Sequence, residues 1–540
     1  MTSVNSSLLV KRRPVKVKWS WQLRLSSALA VSSLSVAGLA GPVEAGGPAT
    51  VGRLSAWTAC GEGLECATLP VPLDHARPAA GTIELAVIRR PAADPARRIG
   101  SLVYLEGGPG VSGFDSVRDS AELVEKPVRD RFDVVGFDQR GVGRSAPVRC
   151  YADTEAAEKA LIGGLPWDRS AASGSRWLAV APVGAKSSYG DEVLAGFDET
   201  VEEQRRFAEG CGRLSGPLLP YLSTEAAARD LDLLRAALGE SRLTAYGASY
   251  GTELGVTYAA LFPTRLRALV LDAVVDPRLS IDNPFVEIWL QATAFEKAFD
   301  TFLGNCKRDP ECTFGHGDPA GAYDRLLARL AEKPLYVRNE DANTVTEVDA
   351  SVVRFAVEKL LYNESNWPKL ELGLQRADDY DDGSVLLDVV QGSSDQEDGV
   401  YDNLAEANAA INCADQSYPT DLAFYRGFAA TMALEAPRFG PMLALVGLPC
   451  AFWPTSPASR YTGPFQAPGA PPILVIGTTG DTATPYVEAR SLASQLGDRA
   501  VMLTWRSFTH GAYGNSTCIN EATNRYLIDL VPPKPNTVCQ

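Results

Sequence analysis

The chain has 540 residues, 45% hydrophobic and 22% charged, which suits a globular protein with a large core and excludes a disordered chain. The first 45 residues hold six basic side chains against one acid (Glu44), so the overall charge of −15 conceals a remainder of 45 basic and 65 acidic residues, a net of −20. Such a body repels phosphate backbones, which excludes nucleic acid as a partner, and three histidines (His75, His316, His510) without a Cys-x-x-Cys pair argue against a metal centre.

In chain order, the first feature is a basic segment of Lys11, Arg12, Arg13, Lys16, Lys18 and Arg24, followed by the uncharged residues 25–40. Gly41-Pro42 ends the stretch, and Val43-Glu44-Ala45 offers small residues at the positions a signal peptidase reads. This layout predicts a signal peptide over residues 1–45 and a secreted or periplasmic protein. A membrane anchor is the competing reading, weakened by five serines and a length at the short limit for a span. No later stretch is long and apolar enough to cross a bilayer, so no membrane span is expected in the mature protein. Ten cysteines, an even number, suit an oxidising compartment. Nearest-neighbour pairing would join Cys60 to Cys66, Cys306 to Cys312, Cys413 to Cys450 and Cys518 to Cys539, leaving Cys150 with Cys211. Other connectivities, and buried free thiols, stay open at this level.

After a loop-like start, the β-rich runs 66–73, 82–88, 101–105 and 132–137 read as strands. Residues 150–222 lack a clean period and read as an insertion. Ala227, Leu231, Leu234 and Leu238 then recur at helical spacing, with Thr224 as N-cap and Gly239 just past the end. Strand 243–246 runs into Gly247-Ala248-Ser249-Tyr250-Gly251 and a further helix, and strand 268–273 follows. Residues 277–464 are mainly helical in pattern and rich in acids, including the solvated run Asp378-Asp379-Tyr380-Asp381-Asp382. Strand 473–476, a helix from Pro485 capped by Thr484, strand 500–505 and a helix over 518–530 close the chain. Strand–helix alternation predicts an α/β fold, a mostly parallel sheet with helices on both faces. The core spans 46–276 and 465–540, interrupted by a large helical cap over 277–464.

Three residue types at strand ends carry the chemistry. Gly247-x-Ser249-x-Gly251 has the pattern of a nucleophile elbow, a strained strand-to-helix turn that lifts a hydroxyl into the open; a plain Gly-Ser turn is the alternative. Such a hydroxyl needs a base, and the base an orienting carboxylate. Only His316 and His510 follow Ser249. His316 sits inside the cap and reads as a surface histidine, whereas His510 follows strand 500–505. Asp481 follows strand 473–476, in the chain order serine, acid, histidine. Gly107-Gly108-Pro109-Gly110 directly follows strand 101–105, where an acyl-transfer site needs oxyanion donors. Pro109 has no N–H, so the amides of Gly108 and Tyr250 are the expected pair. A phosphate loop is disfavoured by the missing Gly-Lys-Ser/Thr ending. No cofactor is expected.

Gly-Gly-Pro-Gly at 107–110, Asp138-Gln139-Arg140-Gly141-Val142-Gly143-Arg144-Ser145 and Gly-Ala-Ser-Tyr-Gly together resemble the prolyl and tripeptidyl aminopeptidase family of α/β-hydrolases. The segment from Asp481 through His510-Gly511-Ala512-Tyr513-Gly514 to Cys518 and Cys539 is similar to the C-terminal region of its secreted tripeptidyl branch. The resemblance covers about residues 55–275 and 465–540 and is thin across the cap. It implies an aminopeptidase that releases residues from free peptide N-termini through an acyl-enzyme on Ser249, with peptides as substrates. It also implies that acidic cap residues read the α-ammonium; Asp415, in the cap, and Glu106, beside the oxyanion loop, are the candidates. Glu106 stands where many relatives carry histidine. A carboxylesterase on the same residues is the second reading, and a non-catalytic binding protein the third.

Overall fold

The computed structural model describes residues 51–152, 189–339, 344–391 and 403–540; the expected signal segment and much of the 150–222 insertion lie outside them. A ten-stranded sheet contains β1 (Thr58–Gly61), β2 (Leu64–Pro72), β3 (Thr82–Arg90), β4 (Gly100–Leu105), β5 (Phe132–Phe137), β6 (Leu243–Ala248) and β7 (Leu266–Asp272). In the cap, β8 (Leu335–Asn339) and β9 (Thr344–Val348) form a separate antiparallel hairpin. Strands β10 (Ile473–Thr478), β11 (Ala500–Trp505) and β12 (Thr537–Cys539) complete the large sheet, whose order is β1-β2-β3-β5-β4-β6-β7-β10-β11-β12. The pairs from β1 to β5 are antiparallel, and every pair from β5–β4 onward is parallel.

The parallel strands are apolar on both faces because helices cover both, and their side chains alternate between two cores. Val103, Leu105, Leu269, Leu271, Ile473 and Val475 face one layer with Ala227, Leu231, Leu234, Leu254 and Leu492, from helices Thr224–Ala237, Tyr250–Leu261 and Tyr486–Leu496. Leu102, Tyr104, Ala268, Val270, Leu474 and Ile476 face the other, with Val117, Val128, Ile519, Tyr526 and Leu527. The segment between β7 and β10 builds a third core around Phe295, Phe299, Val353, Leu361, Leu370 and Phe439. Residues 49–540 nevertheless form one compact unit. Among the described residues, no helix is long and apolar enough to cross a membrane.

The structure departs from expectation in four local respects. The loop-like start contains β1, and the tail contains β12; both are too short to show a period. The mainly helical cap carries the β8–β9 hairpin. Helix Thr224–Ala237 is capped by Ser223, whose side chain accepts from Ala226 N–H, so Thr224 is its first residue. Part of the expected insertion is the 19-residue helix Phe197–Ser215. The ten cysteines form five disulfides: Cys60–Cys66, Cys150–Cys211, Cys306–Cys312, Cys413–Cys450 and Cys518–Cys539.

Candidate active site

Ser249 lies between β6 and helix Tyr250–Leu261 with φ 55° and ψ −126°, a backbone conformation that costs an L-residue on the order of 1–3 kcal/mol. The glycines on either side are sterically required. A Cβ at Gly247 would sit 2.4 Å from the Gly251 carbonyl oxygen, and one at Gly251 would sit 2.0 Å from the Leu105 carbonyl oxygen. The turn is thereby pressed against the end of β4, and the loop after β4 meets the serine. A Cβ on Gly107 would lie 3.5 Å from Ser249 Oγ. Gly108, at φ +106°, is exposed beside the half-buried Ser249, and Tyr250 N–H opens the following helix. From the cap, Asn408 Nδ2 donates to Pro109 O at 3.0 Å, bracing this loop against helix Leu404–Asp415.

Asp481 is buried just beyond β10. Its Oδ1 accepts from the N–H groups of Ala483 (3.0 Å) and Thr484 (2.9 Å), and its Oδ2 from the Thr484 hydroxyl (3.1 Å). Thr484 therefore serves the carboxylate; Pro485 is the N-cap of helix Tyr486–Leu496 and makes no side-chain cap bond. His510 Nδ1 lies 2.9 Å from Asp481 Oδ1 and 3.1 Å from Oδ2. This contact fixes the tautomer with Nδ1 protonated and leaves Nε2 as the basic nitrogen. Burial works to lower the imidazole pKa, but the charge and hydrogen bond of Asp481, helped by Asp272, outweigh it and the pKa is raised. His316 lies elsewhere, exposed on the cap and 3.1 Å from Asp379. His75 is 2.8 Å from Asp230 in a buried network with Arg140.

The two expected ammonium-reading carboxylates have other partners in the structure. Asp415 is buried, and both its oxygens accept from Thr224: Oδ1 from the N–H at 3.0 Å, Oδ2 from the N–H at 2.9 Å and the hydroxyl at 2.7 Å. Glu106 accepts from Gly107 N–H at 2.8 Å and from the Ser116 hydroxyl at 2.5 Å, so it shapes the glycine loop. Each carboxylate keeps lone pairs beyond these bonds, so the contacts orient the two groups inside the fold.

Two features escaped the sequence reading. The first is Asp272, whose carbonyl accepts from Ser249 N–H at 3.0 Å. Its carboxylate takes the amides of Ala512 and Tyr513 after His510. The second is a group of buried or half-buried carboxylates where core and cap meet: Glu253 on the helix after Ser249, Glu287 on the first long cap helix, Glu488 and Asp276. Ser280 works to lower the pKa of both Glu253 and Glu287. Burial pushes Glu287 up to about 7 and raises Glu253 and Glu488 well above the usual carboxylate range, and the charges acting on all three are carboxylates, including Asp481 on Glu488. Among the described residues, Glu488 Oε1 has no hydrogen-bond partner. Acids on four separate elements carry no shared sequence spacing, so only the fold reveals the group.

A serine on a strained turn after β6, a carboxylate after β10 and an imidazole after β11 follow the chain order of the α/β-hydrolases, and the molecule is a serine hydrolase of that fold. Residues 436–539 match the α/β-hydrolase family described as TAP-like protein. The chain is 32% identical over 518 residues to serine protease Hip1 of Mycobacterium tuberculosis, covering 91% of each protein. It is 32% identical over 554 residues to carboxylesterase B of the same organism, covering 96% of this chain and 99% of that one. With tripeptidyl aminopeptidase of Streptomyces coelicolor it shares 30% identity over 486 residues, 86% of this chain and 81% of the other. The chain belongs to this TAP-like family of serine hydrolases.

Proposed function

We propose that the protein is an exported serine aminopeptidase that removes residues from free peptide N-termini. Ser249 attacks the scissile carbonyl, and His510 Nε2 takes the hydroxyl proton and returns it to the leaving amine. Asp481 holds the imidazole and stabilises its charged form, while the amides of Gly108 and Tyr250 receive the oxyanion. The observation that carries this reading is the Asp481–His510 Nδ1 contact of 2.9 Å, which leaves Nε2 free to act as a base. The kinship with tripeptidyl aminopeptidase and Hip1 supports the peptidase assignment, and five disulfides support an oxidising compartment. On this reading the α-ammonium is met by the field of Glu253 and Glu287 rather than by Asp415 or Glu106. Carboxylates raised by burial and by neighbouring carboxylates gain most from an incoming cation.

The decisive experiment compares one tripeptide anilide with its N-terminus free and acetylated, with Ser249→Ala as the blank. A strong loss of rate on acetylation supports the exopeptidase. Equal rates would indicate an endopeptidase. The kinship with carboxylesterase B favours a second reading, which brisk ester cleavage without anilide turnover would establish.

A further inference from the structure

The loop that carries His510 is held from two sides. From the core, Gly480 N–H donates to Ser507 O at 2.9 Å, and beyond the histidine the Asp272 carboxylate takes the Ala512 and Tyr513 amides. From the cap, the turn between helices Ala350–Leu361 and Trp367–Asp379 lies along the same loop. His510 N–H donates to Tyr362 O at 2.7 Å, Glu364 N–H donates to Phe508 O at 2.9 Å, and Asn363 forms an antiparallel bridge with Thr509. Phe508 N–H returns a bond to Glu364 Oε2 at 3.1 Å. Tyr362 sets its ring edge-on to the imidazole, centroids 5.4 Å apart at 86°, and Trp367 packs on Phe508 at 5.5 Å. The peptide N–H groups of Phe508 and His510 thus both end on cap acceptors.

We propose that Glu364 is a positioning residue for His510, acting with the Tyr362 carbonyl so that the cap fixes the backbone from which the imidazole reaches. This rests on His510 being the general base. Asp481 holds Nδ1 but leaves the ring free to swing about that contact, whereas acid–base transfer demands Nε2 within hydrogen-bond reach of the serine. A displacement of about 1 Å in such a group costs up to a hundredfold in rate. The Glu364 carboxylate is exposed, and its bond to Phe508 N–H is charge-assisted. Its removal therefore disturbs the loop more than the core.

The test measures peptide-anilide and simple-ester hydrolysis, fluorophosphonate labelling of Ser249 and thermal melting for wild type, Glu364→Ala and Glu364→Gln. The expected result for Glu364→Ala is a kcat about tenfold lower on both substrates, with KM within about twofold and labelling slowed in parallel. Glu364→Gln keeps an acceptor for Phe508 N–H and should recover kcat to within about threefold. An unchanged kcat and labelling rate in Glu364→Ala overturns the proposal, as does a loss that Glu364→Gln fails to recover. Should Glu364→Ala not fold, Glu364→Asp withdraws the carboxylate by one methylene at the same charge; full activity there overturns it too. Wild-type protein that resists labelling at Ser249 brings down the serine-enzyme reading first and this proposal with it.

Discussion

The backbone N–H of Ser249 donates to the carbonyl of Asp272 at 3.0 Å, tying the serine turn to the end of β7. The carboxylate of the same residue, fully buried, accepts from Ala512 N–H at 3.0 Å, Tyr513 N–H at 2.8 Å and the Tyr246 hydroxyl at 2.8 Å. One aspartate therefore spans the serine turn and the segment that follows His510. Asp272→Asn keeps the shape and one oxygen toward the three donors, but it removes the charge and sets an amide NH2 where Oδ1 accepts from Ala512 N–H at 3.1 Å. The expected cost is about 1–3 kcal/mol of stability, with kcat reduced at least about tenfold. Calorimetry and steady-state kinetics check this; a lowered melting temperature with unchanged kcat would restrict Asp272 to folding.

On the proposed mechanism the raised pKa of His510 sets the pH dependence. Only the neutral imidazole acts as a base, so kcat/KM should climb with pH through a midpoint above the ordinary histidine value of 6.5. From the unperturbed side chain alone, a midpoint of roughly 6–7 is expected. A profile of kcat/KM on an anilide substrate, with chemistry shown to limit the rate, checks the shift. Asp481→Asn should lower the rate by several orders of magnitude, because the amide no longer holds the required tautomer.

Glu287 offers a two-sided test. Its pKa in the folded protein, about 7, lies above the ordinary 4.5. The linked stabilisation is therefore complete below about pH 4.5 and lost as pH rises through about 7. Asp415 is pushed in the same direction, also to about 7. The melting temperature should fall by several degrees between pH 5 and pH 8, and Glu287→Gln should flatten part of that fall. If the carboxylate attracts the substrate ammonium, the same variant raises KM for the free peptide anilide several-fold and leaves an acetylated ester unaffected. Equal KM changes on both substrates would remove Glu287 from ammonium recognition.

Tyr250 separates backbone from side chain. Its hydroxyl is 2.6 Å from Thr224 Oγ1, within the network that holds Asp415, while the proposed oxyanion donor is its amide. Tyr250→Phe should cost about 1 kcal/mol of stability and leave kcat within about twofold of wild type. A large fall in kcat, measured on a rapidly cleaved ester, would assign the hydroxyl a part in the chemistry.

What the sequence disclosed follows from how local each signal is. Gly247-x-Ser249-x-Gly251 was legible because the steric demand acts within five residues, and the strands of the parallel sheet because burial on both faces makes continuous apolar runs. Helix Phe197–Ser215 was missed because several of its buried positions are small, namely Ala208, Gly210, Cys211 and Ser215, so the stripe is faint. Thr224 and Thr484 both read as caps by type, yet their side chains turn to Asp415 and Asp481, acids distant in sequence or folded back from a turn. Asp415 reads as a candidate from its charge alone, and its hydrogen-bond partner Thr224 lies 191 positions earlier. Glu253, Glu287 and Glu488 meet only once the cap has docked, a fact that no periodicity encodes.

β12 occupies the outer edge of β11, in parallel register from Leu503–Thr537 to Trp505–Cys539, and Cys539 is bonded to Cys518 on the neighbouring helix. An uncovered parallel strand as apolar as Ala-Val-Met-Leu-Thr-Trp is a template for edge-to-edge association between molecules. Three residues and one sulfur–sulfur bond therefore cover the Leu503–Trp505 half of that edge. Reduction of Cys518–Cys539 would free the tail that covers this half of the edge.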